Sequence, residues 1–321
     1  MDSAALERLT RFRAAPLLES PTATPLFCKV EAMPRPHVTI AARAARSAGN
    51  VILRYMNRID GLNVVEKQQM DFVSEVDKLA EAEIIKELRR AYPDHAILAE
   101  ESGATGKGPM TWVIDPLDGT HNYLRGIPHF SVSIALLEKG VPIHAVVFDP
   151  LRDELYTASK GDGAYINDRR MRVSKRENLG GAMIATGFPF RQREHLPAQL
   201  DMTRAILGQA EDIRRSGSAA LDLAYVAAGR YDGYFEIGLK PWDMAAGVLL
   251  VHEAGGRYCD FAGRDGIPAS GNIIAGNLNV AKAMVDAIGQ QATPALLKAR
   301  ASSTRTNNGA RGRRCRCHPT N

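Results

Sequence analysis

Asp115-Pro116-Leu117-Asp118-Gly119-Thr120 sets two carboxylates, a glycine and a hydroxyl directly after the apolar run Trp112-Val113-Ile114. A strand over that run puts Asp115 at its mouth, and Pro116 forces a turn that brings Asp118 back beside it. Gly119 lets the backbone approach a ligand closely, and Thr120 adds its hydroxyl. Two carboxylates with nearby backbone amides suit hard divalent cations and a phosphate group. Glu100 closes the preceding strand and Asp243 opens the helix after Pro241-Trp242, so both stand at element ends that can reach the same space. Taken singly, an Asp-Pro is a turn and an Asp at a helix start is a cap. Gathered without basic partners, four carboxylates repel one another unless cations neutralise them. Magnesium is the natural choice for an all-oxygen site, because it keeps waters and accepts phosphate oxygens.

The elements that must position these groups are legible from periodicity. Val38, Ala41, Ala45, Ala48, Ile52 and Tyr55 recur at helical steps, so a helix follows Met33. Ser74 and Asp77 form a capping-box pattern for a second helix with a buried stripe of Leu79, Ile84, Ile85 and Leu88, ended by Tyr92-Pro93. A short strand Ala96–Leu98, a flexible Gly-rich loop from Ser102 to Met110 that reads as a mobile flap beside the acids, and the strand Trp112–Ile114 follow. Strands are then expected at Phe130–Leu137, Ile143–Phe148, Glu154–Ala158 and Ala164–Asn167. Near residues 150–180 the character changes to alternation: strands at Met183–Thr186, Asp212–Arg215, Tyr231–Glu236 and Asn272–Ala275. The intervening helices fall at Pro197–Leu207, Ser218–Ala228, Trp242–Ala254 and Val280–Ile288, the third stopped by Gly255-Gly256. This divides the chain into an N-terminal extension (1–32, disordered or upstream of the functional start), an α+β subdomain (33–150), an α/β subdomain completing the site (151–291) and a disordered tail (292–321).

Composition bounds the class. The 321 residues are 45% hydrophobic and 24% charged, as in globular proteins, and no apolar run approaches the roughly 20 residues of a membrane helix. Arg8, Arg11 and Arg13 are not followed by the apolar core of a secretory signal. Cys28, Cys259, Cys315 and Cys317 form neither a disulfide framework nor a zinc knuckle, so a cytoplasmic location is expected. The net charge of +5 is misleading, since the seven basic residues after Pro294 leave a body of −2 when set aside. Basicity belongs to the tail, which is either a nucleic-acid contact or a solvated terminus. Gly106-Lys107 lacks P-loop spacing, Gly217-Ser218 has no nucleophile-elbow pattern, and His252 reads as a core or surface residue.

Glu100-Glu101-Ser102, the run from Trp112 to Thr120, and Lys240-Pro-Trp-Asp-Met-Ala-Ala-Gly247 resemble the signatures of the inositol monophosphatase family. Arg214-Arg-Ser-Gly-Ser-Ala-Ala-Leu-Asp-Leu-Ala-Tyr-Val-Ala-Ala-Gly229 is similar to its bacterial, extragenic-suppressor branch. The resemblance runs from about residue 35 to 290 in unbroken order. It implies a layered αβαβα sandwich and a homodimer. It also implies a lithium-sensitive phosphatase of a small polyol phosphate, inositol 1-phosphate foremost, using two or three magnesium ions. By matching position, Glu100, Asp115, the Leu117 carbonyl, Asp118 and Asp243 would hold metal, and the Gly119 and Thr120 amides would bind phosphate. The Thr120 hydroxyl, supported by Asp77, would help activate water, while Arg214, Ser218, Ala219 and Glu236 would surround the polyol. His121 departs from the threonine common in relatives, and reads as a surface or supporting histidine in preference to a metal ligand.

Two other functions compete. Relatives act on fructose 1,6-bisphosphate or 3′-phosphoadenosine 5′-phosphate, and Glu236 argues for a neutral polyol by repelling a second phosphate. The bacterial branch also includes a protein that joins RNA polymerase in antitermination, which would make this chain a transcription-associated factor with or without catalysis.

Overall fold

The computed structural model describes residues 36–56, 64–68 and 71–298. Helices α1 (Pro36–Met56) and α2 (Glu75–Ala91) pack on each other, with a hairpin of β1 (Val64–Gln68) and β2 (Asp71–Ser74) between them in sequence. An eight-stranded sheet follows, built from β3 (Ala96–Ala99), β4 (Gly103–Thr105), β5 (Met110–Asp118), β6 (Ser131–Glu138), β7 (Val141–Asp149), β8 (Glu154–Ser159), β9 (Gly163–Ile166) and β10 (Arg169–Arg170). Its order is β10-β9-β8-β7-β6-β5-β3-β4. Only β3 and β5 pair in parallel; the long meander from β5 to β10 is antiparallel. The short helix α3 (Thr120–Leu124) leaves β5 directly at the acidic turn.

A second sheet of five strands has the order β12-β11-β13-β15-β14, from β11 (Met183–Thr186), β12 (Asp212–Arg214), β13 (Gly233–Glu236), β14 (Arg257–Cys259) and β15 (Ile273–Gly276). Its helices are α4 (Leu196–Leu207), α5 (Ala219–Ala227), α6 (Pro241–Glu253), α7 (Leu278–Gly289) and α8 (Pro294–Leu297).

The period-two alternation of the strands separates three cores and so stacks five layers. Trp112, Ile114, Ile134, Leu136, Val146 and Phe148 face α1 and α2. Val113, Ala135, Ala145 and Val147 face the other way, onto α5 and α6, which also cover Tyr234, Ile273 and Ala275 of the second sheet. Ile184, Phe235 and Ile274 point outward beneath α4 and α7. The order is helix, sheet, helix, sheet, helix. The middle helices are apolar all round, as burial on two faces requires: every residue of α5 is buried, and so are nine consecutive residues of α6, from Asp243 to Val251.

Several expectations are corrected. Leu79 is 42% exposed, because the inward stripe of α2 runs Val76, Ala80, Ile84, Leu88 at four-residue steps and Leu79 lies off it. The segment after Ser102 is not wholly a loop: Gly103–Thr105 pairs antiparallel with β3 as the sheet's edge strand. The strand through Trp112 does not stop at Asp115 but continues to Asp118. The large sheet runs on to Arg170 and the second sheet starts at Met183, in keeping with the change of character read near residues 150–180. Packing persists beyond residue 292: Leu296 is buried, and its carbonyl accepts the Asn272 amide at 3.1 Å. The proposed extension 1–32 and the basic part of the tail lie outside the described residues. No described helix is long and apolar enough to cross a membrane.

Candidate active site

Pro116 cannot donate to the β5–β6 ladder, and the register slips there: Asp115 pairs with Ser133, but Asp118 pairs with Ser131. The bulge gathers both acids at the same strand end. Gly119 then adopts φ 97°, and a Cβ at that position would lie 3.1 Å from the His129 carbonyl and 3.2 Å from the Gly217 carbonyl. Glycine is therefore required twice over, for backbone angle and for space. Thr120 starts α3 immediately afterwards.

Glu100, Asp115, Asp118 and Asp243 all line one cavity, from the turn after β3, from β5 and from α6. Asp115 accepts the Leu117 N–H at 3.0 Å through Oδ1. Asp118 uses Oδ2 for the Ser218 hydroxyl at 2.5 Å and the Ala220 N–H at 2.8 Å. Asp243 uses Oδ2 for the Lys240 N–H at 2.7 Å, closing the first turn of α6. Each of these three aspartates thus has one oxygen fixed by the fold, and among the described residues the other oxygen meets no hydrogen-bond donor. No three acidic, histidine or cysteine side chains among the described residues close into a cage for a single ion; the carboxylates are spread along the cavity wall.

Their electrostatics follow from that crowding. Burial, then repulsion by Glu100, Asp118 and Asp243, drives Asp115 well above the ordinary carboxylate range. Burial lifts Asp118 to about 6, against the pull of its bonds from Ser218 and Ala220. Burial and the charge of Asp118 lift Asp243 to about 7, tempered by the Lys240 amide and by Arg191. A wall of carboxylates that resist ionisation without a counter-charge fits hard divalent cations by the chemistry of its donors.

α2 brings two acids to the same place. Asp77 is 2% exposed: its Oδ2 accepts the Ser74 N–H at 2.8 Å and the Ser74 hydroxyl at 2.6 Å, while Oδ1 lies 2.9 Å from the Thr120 hydroxyl. Burial raises its carboxyl against those bonds. The Thr120 Oγ1 is also 3.0 Å from the Leu117 carbonyl, so its single proton has two alternative acceptors. One turn further on, buried Glu81 accepts the Glu101 N–H at 2.8 Å and the Ser102 N–H at 2.9 Å, fixing the turn that carries Glu100.

On the far side of the cavity stand Ser218, Ala219 and Glu236. Burial pushes Glu236 up to about 8, despite the Tyr234 hydroxyl bonded to it and the nearby Arg215. Gly187 gives this carboxylate its room, since a Cβ there would fall 2.1 Å from Glu236. Arg214 is not brought to the cavity: its guanidinium pairs with Asp212 at the exposed edge strand β12. The next residue, Arg215, lines the cavity in its place. His121 is exposed at the rim.

Sequence reading missed Glu81, Arg191, Arg215 and Asp222. Asp222 lines the cavity within α5, raised by burial and held down by His129. The available signal was an acid inside the apolar run Ala219-Ala220-Leu221-Asp222-Leu223-Ala224.

Comparison with known proteins then decides the family. The model of the inositol monophosphatase family matches residues 33–300. The chain belongs to the inositol monophosphatase family. Within the family it is similar to the Nus factor SuhB of Xylella fastidiosa, 58% identical over 262 residues that span 80% of this chain and 95% of that protein. Among solved structures, the extragenic suppressor protein suhB of Bartonella henselae is 43% identical, with a TM-score of 0.77 over 79% of this chain and 98% of that one. The inositol monophosphatase of Anabaena sp. PCC 7120 is 39% identical, with a TM-score of 0.70 over 79% and 95%. The five-layer arrangement is thus that of the inositol monophosphatase fold.

Proposed function

We propose that this inositol monophosphatase family member hydrolyses a polyol phosphomonoester, inositol 1-phosphate foremost, with magnesium. The observation that carries the reading is the cavity wall of Glu100, Asp115, Asp118 and Asp243, beside a hydroxyl–carboxylate pair of Thr120 and Asp77. Glu100, Asp115, the Leu117 carbonyl, Asp118 and Asp243 would hold two or three ions. When bound, the ions would polarise the ester phosphate, acidify a water and neutralise the leaving oxygen.

The chain's own groups do the rest. With its proton turned to Asp77, Thr120 Oγ1 presents lone pairs to a water and accepts its proton through a relay ending on a buried carboxylate whose affinity for protons is already raised. The Gly119 and Thr120 amides, held by the left-handed turn, would donate to phosphate oxygens. Ser218 fixes Asp118 with its hydroxyl, and Ala219 leaves space for a ring. Glu236 would receive substrate hydroxyls. Because that carboxyl is pushed up to about 8, it repels a second phosphate less at neutral pH than an ionised acid would, and it also serves as a donor. A homodimer is proposed on the family resemblance, and a cytoplasmic location on the cysteine usage and the lack of a secretory-signal pattern.

Phosphate release from inositol 1-phosphate, fructose 1,6-bisphosphate and 3′-phosphoadenosine 5′-phosphate, with and without magnesium, tests this reading in wild type and Asp118→Asn. Turnover that needs magnesium, is strongest on inositol 1-phosphate and is lost in the variant supports it. No turnover on any of them by folded protein overturns it.

A second reading is favoured by the relatives' names, since curated proteins 50–58% identical to this chain are called Nus factor SuhB. On it the chain also joins a transcription complex. A pull-down of RNA polymerase that survives Asp118→Asn supports a separable binding role, and absence of polymerase from the wild-type pull-down removes it.

A further inference from the structure

The acid wall carries a cation of its own. Arg191 sits on the loop between β11 and α4, and its Nη2 lies 3.9 Å from Glu100 Oε1, with only 21% and 16% of the two side chains exposed. The Phe190 ring supports the guanidinium from beneath, 4.5 Å from ring centre to Cζ, a geometry that stabilises a cation. Arg191 lines the same cavity as Glu100 and Asp243. Arg191, on the loop before α4, therefore reaches across to Glu100, which follows β3 in the other sheet.

We propose that Arg191 is a tethered counter-cation that competes with divalent ions for Glu100, and so sets how tightly this chain binds magnesium. The inference rests on the metal-dependent phosphatase reading above. Two unit charges of one sign cannot share this carboxylate at close range without repulsion. At 3.9 Å the Nη2–Oε1 contact is within ion-pair range, so a divalent ion on Glu100 meets the guanidinium charge at close quarters. In the ion-free protein it relieves part of the mutual repulsion among the carboxylates; with an ion present it opposes binding.

Calorimetric titration of magnesium into the chelator-stripped full chain tests the inference. Wild type is compared with Arg191→Gln, Arg191→Lys and Arg204→Gln, the last removing an equal charge from an exposed position on α4. Arg191→Gln is expected to bind magnesium about tenfold more tightly, as loss of a partly screened competing charge implies. Arg191→Lys keeps the charge and should return toward wild type, and Arg204→Gln should match wild type. Equal or weaker binding by Arg191→Gln overturns the proposal while leaving the metal site standing. Failure of wild type and every variant to bind magnesium overturns the metal-dependent reading, and this inference with it.

Discussion

Thr120 Oγ1 lies 2.9 Å from Asp77 Oδ1, a contact between the acidic turn after β5 and the first turn of α2. The capping box of α2 orients this carboxylate, with Ser74 holding Oδ2 so that Oδ1 faces Thr120. If the pair relays a proton, removing either member costs activity by a factor of about 10² to 10⁴. Asp77→Asn and Thr120→Ala should each fall in that range for kcat. The double variant should be little worse than either, as for residues that act as one unit. Multiplicative losses would show two independent roles.

Stability in the absence of metal should fall as pH rises. Glu236 is lifted from 4.5 to about 8 by burial, so between those values the folded chain binds a proton that the unfolded chain has released. Its favourable contribution is complete below about 4.5 and is lost as pH climbs through about 8. Buried Asp77 and Asp222 are shifted in the same direction. Melting curves in chelator from pH 5 to 8.5 should show wild type losing a few degrees, with Glu236→Gln flatter at the alkaline end. A melting temperature that rises over this range contradicts the assignment.

Gly119→Ala should be damaging. Its φ of 97° and the two carbonyl oxygens within 3.2 Å of a Cβ leave no relaxed solution, and such strain costs about 1–3 kcal/mol. Denaturant unfolding measures the loss, and phosphatase assays on the folded fraction should show that displacement of the Thr120 turn removes activity as well.

The corrected face of α2 makes a paired prediction. Ile84→Ala empties a fully buried site beside α1 and should destabilise by about 2–5 kcal/mol. Leu79→Ser, at a position 42% exposed, should stay within about 0.5 kcal/mol of wild type. Equal losses at both sites would restore the predicted stripe.

Arg214→Ala should leave KM for the polyol phosphate within about twofold, since the exposed side chain is occupied with Asp212 and does not line the cavity. A large rise in KM would return Arg214 to the substrate-binding set.

What the sequence alone determined were the features encoded by local rules. The helical period of α1, the Ser74–Asp77 cap and the strand-then-turn pattern around Asp115 depend on near neighbours, so they can be read directly. The acids could be grouped because Glu100, Asp118 and Asp243 stand at or beside element ends and Asp115 precedes the proline that breaks the ladder. Tertiary structure decided which side chains turn toward the cavity. Residues alternate sides along a strand, so Asp212 and Arg214 share the exposed side of β12, while Arg215, past its end, lines the cavity. No local signal separates two adjacent arginines. Glu81, Arg191 and Asp222 were hidden for a related reason: each owes its role to a partner distant in sequence, Glu81 to the Glu101 amide, Arg191 to Glu100 and Asp222 to His129. Burial and repulsion, which raise the carboxylates and prepare the wall for cations, exist only once the layers have closed around it.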